Sequence, residues 1–126
     1  MLGKIVLWLS AAIFGSYGIA CLLDPSLAAG YAGLDITNGD AYAEMGAMYG
    51  GLQTGFGILC LLGALQAWMR KPALTMIVVM VGGLAVTRGF WMLAGTEPVG
   101  VYTQGALVFE AITTVVAAVA LRQSSD

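Results

Sequence analysis

Four long apolar segments, separated by short polar stretches, constrain this chain more than any other feature of its sequence. They run over residues 5–23, 42–68, 72–94 and 101–121. Each is close to the roughly 20 residues with which a helix crosses about 30 Å of hydrocarbon. Barrel strands are a poor alternative, because they alternate apolar and polar residues whereas these segments are continuously apolar. The sequence therefore predicts an all-α fold, a single transmembrane four-helix bundle over residues 1–126.

The composition is also typical of a membrane protein. Hydrophobic residues make up 60% of the chain and charged residues 10%, and the mean hydropathy is +0.89. A net charge of -2 without a basic and aromatic patch argues against nucleic acid binding. The chain has no histidine, and its two cysteines fall in different apolar segments. We therefore predict no metal site, no cofactor and no nucleic-acid partner.

The basic residues predict the orientation in the membrane. Lys4 precedes the first segment, Arg70 and Lys71 join the second and third, and Arg122 follows the fourth, so four crossings put them all on one side. Short loops rich in lysine and arginine stay in the cytoplasm, so both termini are predicted to be cytoplasmic. A signal peptide is the alternative for the first segment, although its apolar run is longer than the hydrophobic part of such peptides.

The connection between the first two segments is the longest. The stretch DPSLAAGYAGL, residues 24–34, begins with a capping residue and a proline, which predicts a short interfacial helix ending near Gly30 or Gly33. Residues 35–40 have the composition of a turn. This connection is either a plain connector or a lid over an outward-facing cavity. The stretch MRKPA is predicted to be a tight inner turn with Pro72 at the start of a helix.

Glycines cluster in the second segment. Two G-x-x-x-G pairs put small side chains on one helix face, where two backbones can approach closely. The pattern predicts close packing within the bundle, and a homodimer face is the alternative. Gln53 lies on the same ridge as some of these glycines, so we expect it to point at a neighbouring helix. The predicted packing residues are Gly46, Gly50, Gly51, Gly55 and Gly57.

Three ionisable residues lie within or at the mouth of the apolar segments. At about 1.5 Å per residue, Arg88 is roughly 9 Å and Glu110 roughly 14 Å inside the outer boundary, while Glu44 is at the outer mouth. A charge at bilayer depth costs about 2.5 to 3.5 kcal/mol, so we expect Arg88 to lie between the two carboxylates. Uncharged polar residues are expected beside them. The predicted polar centre consists of Glu44, Arg88, Glu110, Gln53, Tyr17 and Thr114.

Two interpretations of this polar centre remain open. It is a buried ionic clasp that fixes helix register, or it is an outward-opening cavity that binds a small or lipophilic ligand or a proton. The formal charge of the three ionisable residues is -1, which leaves one carboxylate without full compensation. No nucleophile or cofactor motif accompanies the two carboxylates, so we predict no catalytic residues.

Three stretches of the sequence resemble a known family. The run AEMGAMYGGLQTGFGILCLLGA, an arginine in LAVTRGFWML and a glutamate in VFEAITTVVAA resemble the small four-helix bacterial membrane proteins catalogued as domain of unknown function 4345. The resemblance covers nearly the whole chain. It is most specific in Glu-x-x-x-Met-Tyr-Gly-Gly-Leu, residues 44–52, with Arg88 and Glu110 as matching single positions.

This resemblance implies an integral protein of the bacterial inner membrane, in a family without an established activity. In that family an arginine commonly stands where this chain has Gly46. A second basic group is thus missing at the mouth of the polar centre, so the resemblance does not imply an anion site here.

The sequence favours a non-enzymatic role. We expect a small membrane protein whose polar centre binds a small molecule or a proton, and the alternative is an accessory or scaffold subunit with a closed clasp. A proton-coupled transporter would require a dimer through the glycine face, because four helices are few for alternating access. A membrane enzyme acting on a lipophilic substrate is a further alternative. The expected partners are membrane lipid and either a second copy or a larger membrane complex.

Overall fold

The structure is a computed structural model that describes residues 1–123. These residues form four long helices and one short helix, with no strand among them. The four long helices are long and apolar enough to cross a membrane, which confirms the predicted all-α fold with four spans. The helices are α1 (Leu2–Leu23), α2 (Ser26–Ala32), α3 (Gly39–Leu65), α4 (Ala67–Ala94) and α5 (Val101–Gln123).

The bundle has two distinct ends. The start of α1, the α3–α4 connection and the last residue of α5 surround one cavity, and we call this the Gln66 end. The opposite Asp24 end carries α2 and the loop over residues 95–100. This up-and-down order agrees with the predicted four crossings, and the cytoplasmic location of the Gln66 end stays a prediction.

The connection between α3 and α4 differs from the expected turn. α3 ends at Leu65, the backbone of Gln66 is extended, and α4 begins at Ala67 rather than at Pro72. The stretch MRKPA is therefore helical, and the proline, which lacks an N–H, removes one backbone hydrogen bond inside α4. The predicted turn was wrong because Arg70 and Lys71 were assigned to a loop on account of their charge. A helix tolerates them here since their long side chains reach the aqueous end.

Side-chain caps fix the two short connections at the Asp24 end. The carboxylate of Asp24 accepts a hydrogen bond from the backbone at the start of α2, and Gly33 ends α2 with a φ of +70° that favours glycine. Asn38 Oδ1 accepts a hydrogen bond from the Ala41 N–H at 2.8 Å, so the stretch expected to form a turn ends as a helix cap. The short predicted helix is present, and its interfacial location stays a prediction.

α1 and α3 pack with their backbones in contact. A Cβ atom built on Gly57 would lie 2.6 Å from the Cα of Gly15, and one built on Gly50 would lie 2.9 Å from the α1 backbone. A Cβ on Gly18 would overlap the backbone of Thr54. Only glycine permits such an approach at these three positions, and the approach brings α1 and α3 together along most of their length.

The other three predicted packing glycines differ from Gly50 and Gly57, because they do not contact the α1 backbone. Gly46 lies against Pro25, whose Cγ would be 3.3 Å from an added Cβ. Gly51 and Gly55 are exposed, and a Cβ on Gly55 would meet nothing within 4 Å. The face that carries Gly51 and Gly55 is where the alternative, a homodimer contact, would lie.

The apolar core occupies the half of the bundle next to the Gln66 end. Its fully buried large side chains come from α1, α3 and α4. Phe14 lies at its border, edge-on to Phe56 and Phe109 with ring centroids 6.1 and 6.0 Å away. Tyr17, three residues after Phe14, and Gln53, three residues before Phe56, lie on the other side of this aromatic cluster. The largest fully buried side chains are Leu7, Leu74, Ile77, Val81 and Cys60 in this core, and Cys21 near the Asp24 end.

Candidate functional site

Arg88 and Glu110 form a bidentate ion pair that joins α4 to α5. Arg88 Nε donates to Glu110 Oε2 at 2.9 Å, and Nη2 donates to Oε1 at 2.8 Å. The Glu110 side chain is only 8% exposed and that of Arg88 27%. Both carboxylate oxygens are therefore bonded to the guanidinium. Nη1 of Arg88 takes part in no hydrogen bond within residues 1–123.

The ion pair lines a cavity of about 260 Å³, which we call the polar cavity. α1 contributes Tyr17 to it and α3 contributes Gln53, so each of the four long helices supplies a polar side chain. Tyr17 Oη and Gln53 Oε1 are buried and make no hydrogen bond within the described part of the chain, although Tyr102 and Cys21 lie near the Tyr17 hydroxyl. Four of the six residues of the predicted polar centre thus lie together. Aromatic walls are provided by Tyr49, Tyr102 and Phe109.

The structure leaves the other two predicted residues outside this cavity. Glu44 is exposed, and no ion pair joins it to Arg88 within residues 1–123, so the expected bridge of one arginine between two carboxylates does not form. Thr114 donates a hydrogen bond from its hydroxyl to the Glu110 carbonyl at 2.7 Å, and its methyl group packs against Gly82. Thr114 therefore supports the contact between α4 and α5.

A second cavity, of about 370 Å³, separates α3 from the half of α4 nearer the Asp24 end, and we call it the apolar cavity. It shares Tyr49, Gln53 and Leu84 with the polar cavity, so the two are neighbours. The half of α4 nearer the Asp24 end, Gly82–Ala94, packs on α5 rather than on α3. This packing opens the cleft between α3 and α4. Glu44 lies at its rim. Its apolar walls are formed by Met45, Met48, Leu52, Phe56 and Met80.

Both walls of the cleft contain a π-helical segment. Gly46–Gly51 is π-helical in α3, and Ile77–Val81 is π-helical in α4. A π turn contains one residue more than an α turn, so it rotates the residues that follow it on the helix surface. Tyr49 lies in the first segment and Leu84 follows the second, and both line the two cavities. Such segments are rare and often occur at functional sites.

α2 contacts one wall residue of the polar cavity at the Asp24 end. The ring of Tyr31 in α2 stacks on Tyr102, with centroids 6.0 Å apart and planes 13° from parallel. Tyr102 itself lines the polar cavity. Through Tyr102 this contact links the long connection to the wall of the cavity, which is compatible with the lid alternative.

The family comparison agrees with this architecture. The model of a domain of unknown function, DUF4345, matches residues 2–121, nearly the whole chain. The chain belongs to the DUF4345 family. No curated protein and no solved structure matches it. The function of this DUF4345 protein must therefore be argued from its own cavities.

Two cavity residues of the DUF4345 protein were not singled out by the sequence analysis. Tyr102 lies eight residues before Glu110, on the same face of α5, and Tyr49 lies one turn before Gln53 in α3. Helical periodicity around the ionisable and amide side chains was the signal that could have found both.

Proposed function

We propose that this protein binds a neutral lipophilic molecule with oxygen-bearing polar groups, held at the polar cavity. The observation that carries the proposal is a pair of buried polar atoms in one cavity, Tyr17 Oη and Gln53 Oε1, that have no hydrogen-bond partner among the described residues. A buried polar atom without a partner costs about 1 to 3 kcal/mol. A ligand that offers both acceptor and donor oxygens would remove that cost.

The charges around the site favour a neutral molecule over an anion. Arg88 and Glu110 neutralise each other through two hydrogen bonds. Glu44 adds a negative charge at the apolar cavity. The connections at the Asp24 end carry Asp24, Asp35, Asp40 and Glu97 without a single lysine or arginine. An approaching anion would be repelled by this field.

The cleft between α3 and α4 supports access from the membrane. Met48, Leu52 and Met80 line the apolar cavity and are exposed, so they face lipid when the helices span a bilayer. An apolar tail could lie along this cleft while its polar group reaches the polar cavity. We place the protein in the bacterial inner membrane with both termini in the cytoplasm, so the cleft would open in the outer leaflet.

Photolabelling of the purified protein in lipid nanodiscs tests this function. The probe is a monoacylglycerol with a diazirine in its acyl chain, because it is neutral and carries hydroxyl groups. We expect labelled peptides from α3 and α4 around the apolar cavity. Tyr17→Phe removes the phenol oxygen and Gln53→Leu removes the carboxamide group from the polar cavity, and each should reduce labelling about fivefold or more through loss of at least one hydrogen bond.

Thr54→Val is the matched control for this experiment. Thr54 Oγ1 is also buried and has no hydrogen-bond partner within residues 1–123, but Thr54 lines a different groove between α1 and α3. Labelling should therefore be unchanged in Thr54→Val. Equal labelling in all four proteins, or label spread evenly over the lipid-facing helices, would contradict a specific site.

The alternative role as a structural clasp has one observation in its favour. Both oxygens of Glu110 are already bonded to Arg88, which ties α4 to α5 without any ligand. A clasp alone predicts that Tyr17→Phe and Gln53→Leu leave labelling unchanged.

A further inference from the structure

The Gln66 end carries a basic cavity that the proposed function does not use. Its volume is about 420 Å³, within the range of about 300 to 1,000 Å³ usual for ligand sites. Lys4 from α1 and both Arg70 and Lys71 from α4 line it. Lys4 and the adjacent pair Arg70 and Lys71 come from two separate parts of the sequence, and the fold brings them to one place.

Arg70 is the innermost of the three basic side chains. Its Nε is buried and has no hydrogen-bond partner within residues 1–123, while Lys4 and Lys71 are exposed. The Cδ of Arg70 lies near Gly3, where an added Cβ would be 3.7 Å away. The guanidinium is thus held between the starts of α1 and α4 with donor capacity that the described protein atoms leave unused.

The start of α4 adds a second feature that suits an anion. Ala67 and Trp68 line the same cavity, and the residue before them, Gln66, makes no side-chain capping hydrogen bond. The first backbone N–H groups of a helix lack partners within the helix and carry a partial positive charge. Such an N-terminus is a ready site for phosphate.

No acidic side chain of the described chain balances these charges. The carboxylates among residues 1–123 are at the Asp24 end, except Glu110, which is paired with Arg88. Asp126 lies outside the described residues. The positive-inside tendency explains why basic residues are on this side of the membrane. It does not explain their convergence on one cavity beside an uncapped helix start.

We propose that this cavity binds the phosphate group of an anionic phospholipid from the same leaflet. Exposed apolar side chains flank it, with Trp68 74% and Leu65 61% exposed, so acyl chains can lie against the protein beside the head group. Tryptophan is typical of the membrane interface. Basic pockets between transmembrane helices are known to hold anionic lipid head groups.

Native mass spectrometry of the protein in mixed micelles tests the site, with phosphatidylglycerol and phosphatidylcholine as competing probes. We expect retained phosphatidylglycerol in preference to phosphatidylcholine. Lys71→Gln removes an exposed charge from the cavity and should lower this preference about fivefold without affecting folding. Arg70→Gln should lower it by at least as much, since Arg70 lies deepest.

Arg122→Gln is the matched control, because Arg122 is at the same end and exposed but does not line the cavity. It should leave the preference unchanged. Equal losses in Lys71→Gln and Arg122→Gln would show general surface attraction and overturn the site. Binding of added inorganic phosphate without any preference for phosphatidylglycerol would overturn the lipid assignment. Repeating the comparison with Asp126→Asn excludes masking by that carboxylate, and no preference in this background would also overturn the proposal.

Discussion

Glu110 is the buried carboxylate of this protein's described residues, with only 8% of its side chain exposed. Two hydrogen bonds from Arg88 compensate that charge. The transfer of both charges from water is costly, so the pair as a whole adds little net stability. Removal of one partner is different, since it leaves the other as an orphaned charge.

Arg88→Met should destabilise the protein by about 3 kcal/mol, because the Glu110 carboxylate loses its only partner among the described residues. The melting temperature, followed by circular dichroism in nanodiscs, should fall by on the order of 10 °C. Arg88→Met combined with Glu110→Gln should recover most of this loss, because a neutral amide replaces the orphaned charge.

Glu44→Gln serves as the control for the ion pair. Glu44 is exposed and not bonded to Arg88, so this variant should melt within about 2 °C of the unmodified protein. Equal losses in the single Arg88→Met and the double variant would contradict an energetic coupling between Arg88 and Glu110.

At the scale of helices, the contact between α1 and α3 contrasts with the cleft between α3 and α4. Glycine removes the side chains that would separate the first pair. α3 and α4 diverge because Gly82–Ala94, the half of α4 nearer the Asp24 end, packs on α5. α3 therefore packs closely against α1 on one side and lines the apolar cavity on the other.

Gly57→Ala should destabilise the bundle by about 1 to 3 kcal/mol, since its Cβ would lie 2.6 Å from the Gly15 backbone and force the helices apart. Gly55→Ala is the matched change on the same helix. Its Cβ would meet nothing within 4 Å, so the better helix propensity of alanine should leave stability equal or slightly raised.

Thermal unfolding of both glycine variants in nanodiscs checks this prediction. Similar effects at the two positions would show that the approach of α1 and α3 does not depend on glycine. A loss at Gly55 alone would instead indicate that a second copy packs on its exposed face, as the homodimer alternative requires.

At the scale of the whole molecule, the two ends carry opposite charge. The basic residues Lys4, Arg70 and Lys71 line a cavity at the Gln66 end, and the acidic loops are at the Asp24 end. This asymmetry predicts that the Gln66 end is cytoplasmic.

A reporter active only outside the cytoplasm should be silent when it is inserted at Gln66 and active when it is inserted at Thr37. Both positions lie outside regular helix, so insertion interrupts no span. A cytoplasm-specific reporter at the same two sites is the control and should give the opposite pattern. Activity of the first reporter at Gln66 would reverse the proposed orientation.

The sequence predicted the number of spans and the residues of the ion pair, because both depend on the free-energy cost of placing individual residues in the membrane. A helix crosses the membrane only if its own residues are apolar, and a charge at depth must find a partner. The residues Arg88 and Glu110 were therefore found from their depth alone. The helix ends were found less well where proline and basic residues stood inside α4.

The choice of partners depended on the tertiary structure. Arg88 could have met either carboxylate, and only the packing of α4 on α5 brings Glu110, and not Glu44, to its guanidinium. The two cavities and the convergence of Lys4 with Arg70 likewise arise from where helices diverge or meet. Such positions follow from the relative rotation of whole helices, which π turns and glycine contacts set, and no single segment of the sequence encodes that rotation.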